Sequence, residues 1–397
     1  MKITLICHDL PYPPMHGGRV DMWRRIKAFS QVGVELQLIS WFRSYPKNEE
    51  IAEIKKYVRE IYLIPFRYTL SSTVRRTLDL FRYPLEVTSR IVRGQELSRL
   101  LEEVPVFAPQ VIWLDGIHGG EVATELRKHL NIPLVTRCHN VEHLYYRRLF
   151  TFATGLNKLK RYLSLSHLES YEKNLLSYSS LFYDISVDDL KFWQSQGFTN
   201  GRYLPPIVEF NKDRDLETSD NEQGVNYYDI VFLGNLYSNN NVAGIVWFLT
   251  EVLPVIRSVL PNVKVLIAGA NPVQKIKQLC EENEGVHLSI NPASSVAVYN
   301  SGRVLINPVL TGSGVSIKSL EMLTYGRPIV STPQGIAGLP EAVKKYFKIA
   351  ANAQSFGEEI TKFLFNPQKN NVDREVLERL FGSQVIEGVI SDIKSLL

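Results

Sequence analysis

Cysteine is scarce: Cys7, Cys138 and Cys280 are the three among 397 residues. They are too few and too far apart for a disulfide framework or a zinc knuckle, which favours a reducing compartment. No run approaches the roughly 18 uninterrupted apolar residues of a membrane span. The opening MKITLICHDL breaks at His8 and Asp9 before it could act as a signal peptide. Neither a short-period repeat nor a low-complexity tract occurs, and 24 glycines with 20 prolines are ordinary numbers, so collagen-like, coiled-coil and disordered chains are excluded. A large charge of one sign is missing as well, the net being +4. Residues 1–200 nevertheless hold 27 Lys and Arg against 21 Asp and Glu, while residues 201–397 hold 18 against 20. The first half thus suits something anionic, but no nucleic-acid-binding motif accompanies the mild excess. The 8 histidines show no HExxH or other ligand spacing, so no metal site is expected.

What the chain does have is alternation. Short β-rich apolar runs at 2–7, 34–39, 60–64, 111–114, 134–137 and 181–185 are separated by amphipathic stretches such as 20–32, 97–103 and 120–129. The pattern repeats with runs at 230–233, 263–267, 287–290, 304–306 and 328–331. Strands alternating with helices predict parallel βαβ sheets, and two such series predict two doubly wound domains. Residues 1–205 and 229–375 are the expected domains, joined by 206–228. Residues 376–397 form an expected C-terminal helix that could pack back on the first domain. Within the join, NKDRDLETSDNEQG is polar throughout and reads as an exposed loop. Its Asp213 and Asp215 imitate a DxD metal motif but read as a solvated charge run.

Four places could carry chemistry. In HDLPYPPMHGGRVDMWRRI, three prolines and Gly17-Gly18 predict a stiff loop open to close backbone approach, with a helix directly after it. In an open α/β sheet, ligands sit beyond the carboxyl ends of strands, where helix N-termini offer N–H groups to anions. The segment GSGVSIKSLE (312–321) follows the apolar VLINP and opens a helix expected to end at Gly326. A phosphate-wrapping GxxxxGK[ST] loop and a dinucleotide GxGxxG fingerprint both fail at Ile317. What survives is a pair of glycines at a helix N-terminus with Lys318 adding positive charge there. Glu321, one turn deeper, could accept hydrogen bonds from ribose hydroxyls, the bland alternative being a surface Lys–Glu pair. In TRCHNVEH a strand delivers Cys138 and His139 at its carboxyl end, and Glu142 could orient the imidazole or contact an acceptor. Cys138 is not expected to act as a nucleophile, because strand neighbours point to opposite faces. Asp115 and His118 follow another strand as further candidates. Residues 137–161 and 66–93 are basic and aromatic, fitting either an anionic membrane interface or solvated helices with buried aromatic faces.

The segment GSGVSIKSLEMLTYGRPIVSTPQGIAGL resembles the nucleotide-sugar signature of retaining GT-B glycosyltransferases of the large family four, the group 1 glycosyl transferases. FLGNLYSNNNVAGIVWF, VLPVIRSVLPNVKVLIAGANP, TRCHNVEH and YEKNLLSYSSLFYDISVDD resemble other segments of that family in the same order, and Gly17-Gly18 matches its first acceptor-side loop. The resemblance implies a GT-B fold, two Rossmann-like domains facing across a cleft, donor on the second and acceptor on the first. It implies sugar transfer from a nucleoside diphosphate sugar to a saccharide or lipid-linked acceptor, with retention and without a metal or other cofactor. On that basis Gly234, Asn235, Gly269, Ile290, Gly312, Ser313, Gly314, Val315, Lys318 and Glu321 are expected on the donor side. Gly17, Gly18, Asp115, His118 and Glu142 are expected on the acceptor side, and His139, Lys318 and Glu321 nearest the chemistry. Two departures stand out. Thr311 and Gly312 occupy the region of the first glutamate of the family's common EX7E pair. Asn235 and the run Asn239–Asn241 replace the usual cations after Gly234, so leaving-group charge falls to Lys318 and main-chain N–H groups. A nucleotide-sugar epimerase of the same fold and a non-catalytic nucleotide-sugar-binding subunit are the alternatives. The cytoplasm is the expected location, with the inner face of the membrane as a candidate peripheral site; an anionic membrane surface is a candidate partner and nucleic acid is not.

Overall fold

The computed structural model describes residues 1–15, 17–66, 69–210, 228–312 and 314–397, with Phe152 described by its backbone. Ser313, Asp213, Asp215 and most of the expected join therefore lie outside the described residues. The chain divides into two compact units, Met1–Ile207 with Ser383–Leu397, and Val208–Gly382.

The first unit is built on seven parallel strands: β1 (Lys2–Cys7), β2 (Glu35–Phe42), β3 (Glu60–Pro65), β4 (Val111–Asp115), β5 (Leu134–Cys138), β6 (Leu181–Asp184) and β7 (Gly201–Tyr203), in the order β3-β2-β1-β4-β5-β6-β7. The central strands are buried at almost every position, as expected of a parallel sheet covered by helices on both faces. Register aligns their carboxyl ends: Cys7 lies opposite Asp115, Asp115 opposite Arg137, and Cys138 opposite Asp184. The strand order reverses between β1 and β4, the place where such sheets open a crevice for ligands. Helix Val385–Lys394 belongs to this unit, and its Ile386, Val389 and Ile393 share one buried cluster with Ile3, Leu5, Phe29 and Trp113. Tyr183 Oη donates to Asp392 Oδ2 at 2.7 Å on the same helix.

Six parallel strands make the second unit: β8 (Tyr228–Leu233), β9 (Val265–Gly269), β10 (Val286–Ile290), β11 (Gly302–Asn307), β12 (Ile329–Ser331) and β13 (Lys348–Ile349), in the order β10-β9-β8-β11-β12-β13. The reversal here falls between β8 and β11. Trp247, Phe248 and Phe356 form an aromatic group in the core on one side of this sheet. Every expected strand has a counterpart, with ends moved by at most three residues. The short edge strands β7 and β13 are additional, and both residues of β13 are exposed. Among the described residues no helix is long and apolar enough to cross a membrane.

Candidate functional site

In the second unit β8 and β9 end side by side. A Cβ on Gly269 would lie 1.7 Å from the carbonyl oxygen of Gly234, so only glycine fits. The Gly234 N–H donates to Ala268 O at 3.1 Å, and the chain then turns through Asn235, whose side-chain oxygen accepts from the Tyr237 N–H at 2.8 Å. The Asn235 carbonyl accepts from Asn241 Nδ2 at 2.8 Å, and Asn241 Oδ1 accepts from Lys318 Nζ at 2.5 Å. The asparagines that replace a cation thus hold the one that remains. Lys318 opens the helix Ile317–Leu323, and its amine lies 4.5 Å from the centre of the Phe232 ring. Burial pushes its pKa down to about 7.

The start of that helix is fixed from below by Asn307, the last and fully buried residue of β11. Asn307 Nδ2 donates to Ser316 Oγ at 3.0 Å, to Ser319 Oγ at 2.8 Å and to the Gly335 carbonyl at 3.1 Å. Ser319 Oγ also donates to Gly335 O at 2.6 Å. A Cβ on Gly335 would fall 2.3 Å from Ser331 Oγ, so the loop after β12 can approach only as glycine. Gly314 has φ +67, the left-handed conformation that favours glycine, and a Cβ on Gly312 would stand 3.3 Å from Asn240 Nδ2. Gly234, Asn235, Gly269, Gly312, Gly314 and Lys318 are therefore gathered at the carboxyl end of β8, β9 and β11. Val315 packs on the apolar cluster containing Leu320 and Leu323, as a floor to the loop. Glu321 is partly exposed one turn beyond Lys318, and Ile290 is 49% exposed at the end of the edge strand β10.

In the first unit the ends of β1, β4 and β5 converge on Asp115, which is buried. Its Oδ1 is 2.6 Å from His139 Nε2, and its Oδ2 receives the Arg25 guanidinium and, at 3.3 Å, the Trp113 indole N–H. Burial alone would raise the Asp115 pKa, but Arg25 and the His139 hydrogen bond outweigh it and hold the carboxyl well below its ordinary range. Arg25 also pairs with Asp21 at 2.8 Å, and the fully buried Arg137 donates to Leu204 O at 2.6 Å. With a carboxylate facing Nε2, the neutral His139 ring carries its proton there and leaves Nδ1 basic. His8, the residue after β1, has Nδ1 3.0 Å from the Asp115 carbonyl oxygen. A carbonyl only accepts, so Nδ1 donates and Nε2 is the basic nitrogen. Burial, then the positive charge of Arg90, lowers the His8 pKa to about 4. The His118 ring stands 5.2 Å and the His139 ring 6.1 Å from that of His8. Neither nitrogen of His118 has a partner among the described residues. Burial, then His8 and Arg90, holds it well below its ordinary pKa.

Two expectations are corrected here. Gly17 and Gly18 are not part of the loop after β1; the helix Gly17–Gln31 begins with them. Glu142 does not orient His139, which is held by Asp115; its Oε1 accepts instead from Asn140 Nδ2 at 3.2 Å. Burial, then the neighbouring Glu172, raises the Glu142 pKa to about 8. Glu172 itself caps the helix Glu142–Phe152 by accepting from the backbone N–H groups of Glu142 and His143, at 2.9 and 3.2 Å. Of the two readings of 137–161, the stripe of that helix follows the buried one: Tyr146 is buried, and Tyr145 and Leu149 pack on the same cluster. Cys138 is buried, and burial followed by Asp184 pushes its thiol pKa far up, in keeping with an inert side chain. Among the described residues no group of three or more His, Cys, Asp and Glu is placed to hold a metal ion.

Residues 227–366, which span the ends of β8, β9 and β11 and the Lys318 loop, match the family model described as glycosyl transferases group 1. Over that stretch the chain is similar to the group 1 glycosyl transferases. Over 387 residues it is 26% identical to an uncharacterized 44.6 kDa protein in the cps region of Klebsiella pneumoniae, covering 92% of this chain and 91% of that one. HepE of Anabaena, solved with UDP and glucose, superposes with a TM-score of 0.68 at 12% identity over 100% of both chains. Sucrose-phosphate synthase of Thermosynechococcus elongatus gives 0.67 at 15% identity, over 100% of this chain and 98% of that one. The fold is GT-B, two Rossmann-like units with all-parallel sheets. In the second unit the sequence reading missed the bond from Lys318 to Asn241 and the role of Asn307, and in the first unit His8 and the Asp21–Arg25 pair. The position directly after an apolar strand was the available signal for His8. A buried asparagine closing VLIN was the one for Asn307.

Proposed function

We propose that the protein transfers a sugar from a nucleoside diphosphate sugar to a saccharide or lipid-linked acceptor, with retention and without a metal. The observation that carries the reading is Lys318, an ammonium group set at the N-terminus of helix Ile317–Leu323 against a neutral amide oxygen. A cation with no carboxylate partner among the described residues, beside glycines that let a ligand approach the backbone closely, supplies what a diphosphate leaving group needs. Glu321, one turn on, would accept from the ribose hydroxyls, and Ile290 and Val315 would border the nucleotide. That HepE was solved with UDP and glucose supports the donor class. On the first unit, His139, His118 and Asp115 would face the acceptor. Among the described residues no carboxylate pair is placed beside the Lys318 loop for double displacement, so same-face attack is the proposed course, the donor phosphate taking the acceptor proton.

A thermal-shift screen with UDP-, GDP-, ADP- and dTDP-sugars tests the reading, since a ligand of the folded state raises its melting temperature. One of them is expected to stabilise the protein, and Glu321→Ala to weaken its binding by about 1–3 kcal/mol, the scale of a charge-assisted hydrogen bond. Turnover of that donor should survive EDTA and give a product of unchanged anomeric configuration by NMR. If none of the four stabilises the protein, the reading fails.

A further inference from the structure

The helix Leu70–Asp79 buries none of its residues. Leu70, Val74 and Leu78 are 86%, 55% and 62% exposed and recur at every fourth position, which puts them on one face; Phe81, in the turn that follows, is 82% exposed. Arg75 and Arg82 stand exposed among them, and the helix's single acid, Asp79, is paired with Arg93 at 2.8 Å. The helix Gly155–Leu165 has the same make-up. Leu156, Leu159 and Tyr162 are 86%, 57% and 57% exposed, Lys158 and Lys160 are exposed, and the helix has no acid. Both helices touch the short helix Leu85–Thr88, where Ser164 Oγ donates to Glu86 Oε1 at 2.7 Å. A solvated surface helix turns its apolar stripe inward, as Glu142–Phe152 does with Tyr145, Tyr146 and Leu149. These two helices leave theirs outside, and contiguous exposed apolar side chains mark a contact surface.

The charge chooses the occupant. Long aliphatic side chains bordered by lysine and arginine, with the one acid already neutralised, match a bilayer interface. There the apolar groups enter the acyl boundary and the cations meet lipid phosphates. A second copy of this chain would bring the same positive charge against itself. We propose that Leu70–Asp79 and Gly155–Leu165 dock the first unit on an anionic lipid surface. This surface stands whether or not the glycosyl-transfer reading holds, and its test uses no sugar donor.

The experiment is co-sedimentation of the full chain with vesicles of phosphatidylcholine, alone or with phosphatidylglycerol. Binding is expected to the anionic vesicles, to weaken with added salt, and to be slight on the neutral ones. Val74→Ser with Leu78→Ser, and separately Leu156→Ser with Leu159→Ser, should each lower partitioning more than tenfold. Lys158→Gln with Lys160→Gln should lower it by a similar factor, because each basic residue near an anionic surface contributes roughly fivefold. These side chains are exposed, so the variants should melt with the wild type, and circular dichroism checks that. No binding to anionic vesicles at low salt overturns the proposal. So does binding that all three variants leave unchanged, or a dimer in sedimentation velocity that the serine variants dissolve.

Discussion

Lys318 gives up part of its charge near neutrality because burial disfavours the ammonium form, and that sets a sign for ligand binding. An anion placed beside the amine raises its pKa, so binding takes up a proton. Affinity for a nucleoside diphosphate should be greatest below about pH 7 and fall as pH rises toward 9. Calorimetry in buffers of different ionisation enthalpy should record net proton uptake at pH 8, and Lys318→Met should abolish both the uptake and the pH dependence. Glu142 is the converse case. Its carboxyl is held protonated by burial and by Glu172, so the folded state binds the proton more tightly than the unfolded chain does. Its contribution is complete below the ordinary glutamate range and is lost as pH climbs through about 8. Glu142→Gln, which keeps the shape without the acid, should match the wild type at pH 5. At pH 9 it should melt higher than the wild type, the sign set by the raised Glu142 pKa.

Two glycines show how unequally the elements depend on bare backbone. At the end of β9, Gly269 faces the Gly234 carbonyl with no room for a Cβ, whereas Gly388, inside helix Val385–Lys394, has nothing within 4 Å. Gly269→Ala should cost about 3 kcal/mol or more and abolish nucleotide binding. Gly388→Ala should stabilise by about 0.5–1 kcal/mol, read as a higher melting temperature. Elements with an apolar run were readable from sequence: β1, β4, β5, β9 and β11 fall where such runs fall. The edges β7 and β13 were not, because Gly201–Tyr203 and Lys348–Ile349 are short and carry no apolar run. Strand-end placement pointed to His139 and Asp115, but not to the bond between them, whose partners lie 24 residues apart. Arg25 reaches Asp115 across 90 residues, and no spacing rule spans that distance. The glycine loop and Lys318 were legible because helix, loop and charge are contiguous there. The asparagine bridge that holds Lys318 comes from 77 residues away and was read as a deficit.

The chain passes from the first unit to the second after Ile207 and back after Gly382. The returning residues complete the first core, where Ile386 and Ile393 are fully buried. Ile386→Ala should remove about 2–5 kcal/mol from the first unit. Hydrogen exchange should show faster exchange in β1 and β2 and no change in β8 to β11, and nucleotide binding should persist. Equal loosening of both units would mean that they unfold as one.

That return sets an order on assembly during translation. Residues 208–382 leave the ribosome with every strand of their own sheet in hand, and can close as a unit on the spot. The amino-terminal sheet is made first but waits, because the helix bearing Ile386, Val389 and Ile393 is synthesised after the whole intervening unit. Contacts that join helix Gly17–Gln31 to helix Val385–Lys394 span more than 350 residues of sequence, and such contacts form slowly. Through that interval helix Gly17–Gln31 lacks part of its cover, so the nascent chain is most exposed to aggregation and chaperone capture at the end that was synthesised first.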